Sequence, residues 1–275
     1  MESSDQQLRT LDDKIARSKQ VIGEALERYA LERLRIAWTG GKDSTLMVWL
    51  IREVCLERGV TVPGCFCIDE GDMFGEAREF LETWRRAWGL TLDTIHNHDV
   101  SSHAAGLGAP VRVADLNERN RREIARLGYE DDDFPYEPES FVGNHLMKTV
   151  TCAIYLEEHA VQAFFEGIRW DEQGARAGET YFSPRPATEF NPEHVRICPM
   201  LHFTERDIWD ATHRLDVPYC PLYQQGYRSL GARITTRKVA GVPAWEQDLE
   251  GTTERGGRRQ DKEGLMDKLR KLGYM

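Results

Sequence analysis

Residues 35–50 read RIAWTGGKDSTLMVWL, and the reading of this stretch decides the fold. A short apolar run, LRIAWT, has the length of a buried strand. The run from Ser44 to Arg58 is apolar almost all round, as a buried helix is, and Gly59 is placed to end it. Between them lie Thr39, Gly40, Gly41, Lys42, Asp43, Ser44 and Thr45. The outline is that of a phosphate loop, but not of a Walker loop. That motif needs a glycine five positions before its Gly-Lys and a hydroxyl residue directly after the lysine, and Ile36 and Asp43 stand there instead. The physics still favours an anion. Gly40 and Gly41 let the backbone come close, and the amides at the start of a helix point at a ligand. Lys42 adds charge, and Thr39, Ser44 and Thr45 add hydroxyl donors.

Outward from the loop, VPGCFCID forms a second strand ending at Asp69, GEAREFLETWRRAWG a helix, and LTLDTIHN a third strand. Strands alternating with helices predict an α/β fold, a parallel twisted sheet with helices on both faces. Residues 100–142 lack periodicity and read as an insertion over the sheet edge, placed to act as a lid. A helix from about Asn144 to His159 follows, then strands in VQAFFEGIR and VRICPML. Thr204 reads as a helix N-cap with Asp207 at the third helical position. Upstream, Leu8, Leu11, Ile15, Val21, Ile22, Ala25 and Leu26 recur at helical spacing, so one helix is predicted from about Gln6 to Leu34, packed on the body or on a second copy as a homodimer. The predicted organisation is an N-terminal helix (1–34), a nucleotide-binding α/β domain (35–217) with the 100–142 insertion, and a C-terminal segment (218–275) that closes the active site and ends in a helix near Glu263 to Leu272.

The chain has 275 residues and a net charge of −10, which argues against general nucleic-acid affinity. From Arg228 onward it carries 11 Lys and Arg against 7 Asp and Glu, so this irregular segment is basic on a body of about −14. No apolar run has the length of a membrane span, and the polar start MESSDQQLRT lacks a signal peptide's apolar core, so a cytoplasmic protein is expected. Six cysteines occur without CxxC spacing, and Cys65 and Cys67 fall on one face of a strand. Buried, reduced thiols are expected, with a cluster held by distant cysteines as the alternative.

The TGGKDS string resembles the SGGKDS loop of the PP-loop ATP pyrophosphatases, the adenine nucleotide alpha-hydrolase-like superfamily with a Rossmann-like fold, with Thr39 where serine is usual. EGIRWDEQGARAGETYFSPR is similar to the GxRxDEExxRAxxxxFSxR segment of the small subunit of bacterial sulfate adenylyltransferase. It also resembles a shorter segment of phosphoadenosine phosphosulfate reductases. The matching positions are Gly167, Arg169, Asp171, Glu172, Arg176, Ala177, Phe182, Ser183 and Arg185. NHLMKT, the Gly226-Tyr227-x-Ser229-x-Gly231 turn and the ending from Thr252 extend the resemblance over about Arg35 to Met275.

The resemblance implies cleavage of ATP between its α and β phosphates, with release of pyrophosphate and transfer of AMP to an acceptor. Lys42 and the loop would hold the leaving pyrophosphate. Arg169, Arg176 and Arg185, just past a strand end where open α/β sheets bind ligands, would grip ATP and a small oxyanion such as sulfate. Gly167, Asp171, Tyr227 and Ser229 would line the nucleotide site, and Asp43 or Asp69 would hold Mg²⁺. Asp69 reads equally well as a helix cap. Reductase chemistry is not expected, because no cysteine follows Cys220 and thiol chemistry has no substitute. The stretch between PLY and the final Arg-rich turn is shorter than in the small subunit, which puts that subunit's usual GTPase partner in doubt. The alternatives are the ATP pyrophosphatase of DNA phosphorothioation or another sulfur-insertion system, with a sulfur-transfer protein or nucleic acid as partner, and an ATP-binding scaffold without catalysis.

Overall fold

The computed structural model describes residues 10–172 and 174–257. Leu8, the final helix expected near Glu263 and the Arg-rich turn beyond Gly257 lie outside the described residues.

Helix α1 (Leu11–Arg28) starts at a Thr10 capping box and stops short of the predicted Leu34, which instead opens strand β1 (Leu34–Ala37). Tyr29 is extended, and a short 3₁₀ turn at Leu31–Arg33 makes the connection. α2 (Lys42–Arg58) follows the loop and ends on Gly59 in the left-handed region at φ +65°. Next come β2 (Gly64–Ile68), α3 (Gly75–Ala87), β3 (Leu92–Ile95) and the short α4 (His98–Ser102). The predicted irregular insertion is folded. Strands β4 (Pro110–Arg112) and β5 (Asp133–Pro135) pair antiparallel around α5 (Glu118–Arg126), over a separate apolar cluster that includes Val100, Val111, Ile124 and Phe134. Three-residue strands are too short for an alternating pattern to show against so much charge.

Helix α6 (Phe141–Asn144) runs through a π-helical stretch (His145–Val150) into α7 (Thr151–Glu158). Strand β6 (Ala163–Phe165) is shorter than predicted. Strand β7 (Phe182–Arg185) has no counterpart in the sequence reading, and β8 (His194–Ile197) and α8 (Glu205–Arg214) complete the body. The strand order is β3-β2-β1-β6-β8-β7, parallel except for β7, which runs antiparallel to β8 at the edge. Pro184 is tolerated in β7 because an edge strand can spare an amide.

The main core joins α1, α2, the sheet and α8 through Ile22, Ile36, Trp38, Leu46, Phe165 and Trp209, all buried. The apolar face of α1 is thus spent on the chain's own body: Ile15, Val21 and Ala25 join that core, and the Ser18 hydroxyl donates to the Pro199 carbonyl at 2.7 Å. The face that the sequence offers a second copy is already covered. Among the described residues, no helix is long and apolar enough to cross a membrane.

Candidate active site

The strand-to-helix turn after β1 forms one wall of a cavity of about 280 Å³. Gly40 takes a left-handed backbone at φ +74°, where a side chain would be strained. Gly41 is the N-cap of α2 and has no side chain to cap the helix itself. The 17-residue helix directs the positive end of its dipole at the cavity, its first amide being taken by the Tyr223 hydroxyl. Gly167, just past β6, presses on the same turn. A Cβ there would lie 3.0 Å from the Ser44 amide nitrogen and Cα, tight enough that the backbone of the turn would have to give way.

Lys42 is buried, and its ammonium lies 2.5 Å from Glu254 Oε1, 3.4 Å from Asp43 and 3.7 Å from Glu205. Its backbone N–H donates to the Tyr223 hydroxyl at 2.9 Å. Arg169 is fully buried and gathers three acids: Asp43, Asp171 at 2.8 Å and Glu254 at 2.5 Å. Burial alone would lower its pKa, but the Glu254 and Asp171 carboxylates outweigh this and raise it. For Glu254, burial pushes towards protonation, while Lys42 and Arg169 hold the carboxyl well below the usual range. Arg228, also buried, forms a two-oxygen pair with Glu205 and ties down the C-terminal chain through the carbonyls of Asp248, Leu249 and Thr252. Within residues 218–257, Tyr223 and Glu254 contact Lys42 of the loop.

Of the residues singled out in the sequence, Thr39, Gly41, Lys42, Asp43, Ser44, Gly167, Arg176 and Ser229 face the cavity. The others sit behind its wall or away from it. Gly40 shapes the turn against Leu81. The Thr45 hydroxyl is turned into the core, where it accepts the Trp38 indole N–H at 3.1 Å. Arg169 is a brace behind the loop. Asp171 joins Arg169 to the first amide of α8, accepting from Glu205 N at 2.8 Å. Asp69 closes a turn, accepting Gly71 N–H at 2.9 Å and pairing with Arg78 at 3.0 Å; it is not the helix cap that was expected, since Phe74 is the N-cap of α3. Tyr227 packs edge-on against Phe74. Arg185 pairs with Glu179 at 2.5 Å on the edge strand, on the sheet face that also carries Arg196 and Glu166. Arg176 pairs with Glu172.

Tyr223, Glu254, Lys148 and Arg255 also face the cavity and were not picked out as site residues from the sequence. Lys148 lies in NHLMKT, and Glu254 and Arg255 in the TER of the ending, so both motifs carried a signal. Tyr223 is the tyrosine of PLY, a stretch the sequence reading used only as a landmark.

The cavity wall holds more carboxylates (Asp43, Glu70, Asp72, Glu139, Glu166, Glu172, Glu254) than cations (Lys42, Lys148, Arg176, Arg255). A polyphosphate entering it needs a companion cation. Of the two acids named for Mg²⁺, Asp43 faces the cavity and is paired with Arg169 and Lys42, and Asp69 is not in the wall. Among the described residues, no three metal-binding side chains converge. That donor set suits a metal held chiefly by phosphates with one or two carboxylates. All six cysteines are free, five of them buried, and burial pushes their thiols up, Cys65 and Cys67 to about 12. At neutral pH these are poor nucleophiles.

The chain is similar to a probable FAD synthase of Caenorhabditis elegans, 26% identical over 228 residues that cover 82% of this chain and 34% of that protein. It thus spans about a third of that relative's length. It is 27% identical to sulfate adenylyltransferase subunit 2 of Parabacteroides distasonis over 80% of this chain and 69% of that one. Among solved structures, Candida glabrata FMN adenylyltransferase in complex with FAD and inorganic pyrophosphate shares the fold, with a TM-score of 0.60 at 19% identity over 83% of this chain and 65% of that one. The model of the phosphoadenosine phosphosulfate reductase domain matches residues 33–238. That is well over half of the 275 residues, and the chain therefore belongs to the phosphoadenosine phosphosulfate reductase domain family, in the PP-loop superfamily.

Proposed function

We propose that the cavity binds ATP and that the chain cleaves it between the α and β phosphates, passing AMP to a small oxyanion, sulfate first among the candidates. The observation that carries this reading is the buried Lys42 ammonium at the start of α2, directed at a carboxylate that faces the cavity. A cation and a helix start converging on one anion are what a leaving pyrophosphate requires. An acceptor oxygen attacks the α phosphorus, the bond from that phosphorus to the bridging oxygen breaks, and the electron pair leaves with pyrophosphate. The chain contributes positioning and charge: Lys42, Ser44 and Thr39 at the β and γ phosphates, and Arg176 and Arg255 towards the incoming anion. Mg²⁺ held chiefly by the phosphates, with one or two carboxylates of the cavity wall, would offset the charge of the triphosphate.

One observation bears on a neighbouring reading. The protonated thiols count against reductase chemistry. The test is pyrophosphate release from ATP and Mg²⁺ with sulfate, with FMN, with a sulfur donor and DNA, and with no acceptor. Release that rises with sulfate alone is the expected result. Release that rises only with FMN or only with the donor and DNA moves the acceptor accordingly. ATP binding with no release under any condition overturns the catalytic reading.

A further inference from the structure

Glu254 occupies the place where the anion belongs. Its two carboxylate oxygens are gripped separately, Oε1 by Lys42 Nζ and Oε2 by Arg169 Nη2, each at 2.5 Å. Both cations have side chains only 1% exposed, and Glu254's is 14% exposed and faces the cavity. A charged carboxylate bridging two buried cations at a helix start is chemically close to a phosphate bridging the same pair. The backbone that carries Glu254 is anchored by other means. Arg228 takes the carbonyls of Asp248, Leu249 and Thr252, and Arg237 N–H donates to the Gly257 carbonyl at 2.9 Å. The side chain can therefore leave the two cations by bond rotation while the segment keeps its seat.

We propose that Glu254 is an internal competitor for the polyphosphate: it fills the pyrophosphate subsite of the ligand-free protein and is exchanged for the β and γ phosphates when ATP enters. The inference rests on the ATP reading of the cavity. Glu254 adds a carboxylate to those that already pair the buried Lys42 (Asp43, Glu205) and Arg169 (Asp43, Asp171), so both cations keep a partner when it is exchanged. It also sets a selectivity. A ligand without a phosphate tail has nothing to trade for the carboxylate, whereas a polyphosphate does. Nucleotide affinity is lower than the cations alone would give, which favours release of pyrophosphate after transfer.

Calorimetric titration of wild type and Glu254→Gln with inorganic pyrophosphate, ATP and adenosine tests this. The expected result is roughly tenfold tighter binding of pyrophosphate and ATP to the variant, the scale of one charge-assisted hydrogen bond, with adenosine affinity unchanged. Weaker or equal binding of pyrophosphate and ATP to the variant overturns the exchange while leaving the ATP site standing. Failure of every protein to bind ATP or pyrophosphate overturns both. If Glu254→Gln does not fold alone, millimolar pyrophosphate should restore its cooperative melting by supplying the missing anion. Absence of that rescue counts against the proposal.

Discussion

Sequence context put Lys42 and Arg169 both against the ligand, and the structure separates them. Lys42 faces the cavity, while Arg169 lies behind it and braces Asp43, Asp171 and Glu254. Their substitutions should therefore fail differently. Arg169→Met strands three acids, and breaking such a buried pair costs about 3–5 kcal/mol, read as a lower denaturant midpoint. Lys42→Ala should cost roughly 10²–10³-fold in turnover. If Arg169→Met keeps wild-type stability, the brace is misassigned. Residue type and motif announced that both are important, but not which one touches a ligand. That depends on Glu254, 85 residues beyond Arg169, and no local spacing reveals a partner so distant. Thr45 and Asp69 show the same limit: a hydroxyl or carboxylate near a loop is legible, but whether it faces the ligand or the core is set by packing.

At the scale of elements, the turn between β1 and α2 is held from outside by Gly167. Gly167→Ala forces a Cβ against the backbone of Ser44, so the Michaelis constant for ATP should rise roughly tenfold to a hundredfold with the far-UV spectrum unchanged. Unchanged ATP kinetics would show that the turn does not need this close approach. Thr204 and Asp207 form the capping box that the sequence foretold for α8. Thr204→Ala should lower stability by about 1 kcal/mol in a denaturant titration. The helices and central strands were readable because their patterns are long or wholly apolar. The β4–β5 hairpin and β7 were not, being three or four residues long and interrupted by proline. The 100–142 region consequently looked irregular, although it carries its own apolar cluster.

The whole molecule joins sheet, loop and C-terminal chain through buried charge, so its stability should depend on pH. His194, buried under Phe164 with Nδ1–H donating to the Pro192 carbonyl, is pushed down by burial to about 4. Unfolded, it binds a proton near 6.5, so between these values the unfolded state holds the extra proton and stability falls as pH drops, by about 3 kcal/mol in total. Glu254, held below its ordinary value by Lys42 and Arg169, adds a further loss below about 4.5. Denaturant midpoints from pH 7 to 4 should fall accordingly, and His194→Asn should flatten the upper part of the curve; an equal slope in the variant would exclude His194. The α/β class and the anion loop were legible because both are written within single stretches of chain. The closing of the loop by Tyr223, Arg228 and Glu254 was not, because it depends on how the last described turn returns to the first helix of the sheet. Identifying the products formed from α-labelled ATP with Mg²⁺ and sulfate tests the central claim most directly. The account predicts pyrophosphate in step with labelled AMP or adenylyl product, lost in Lys42→Ala; ADP and inorganic phosphate, or full product formation by that variant, would contradict it.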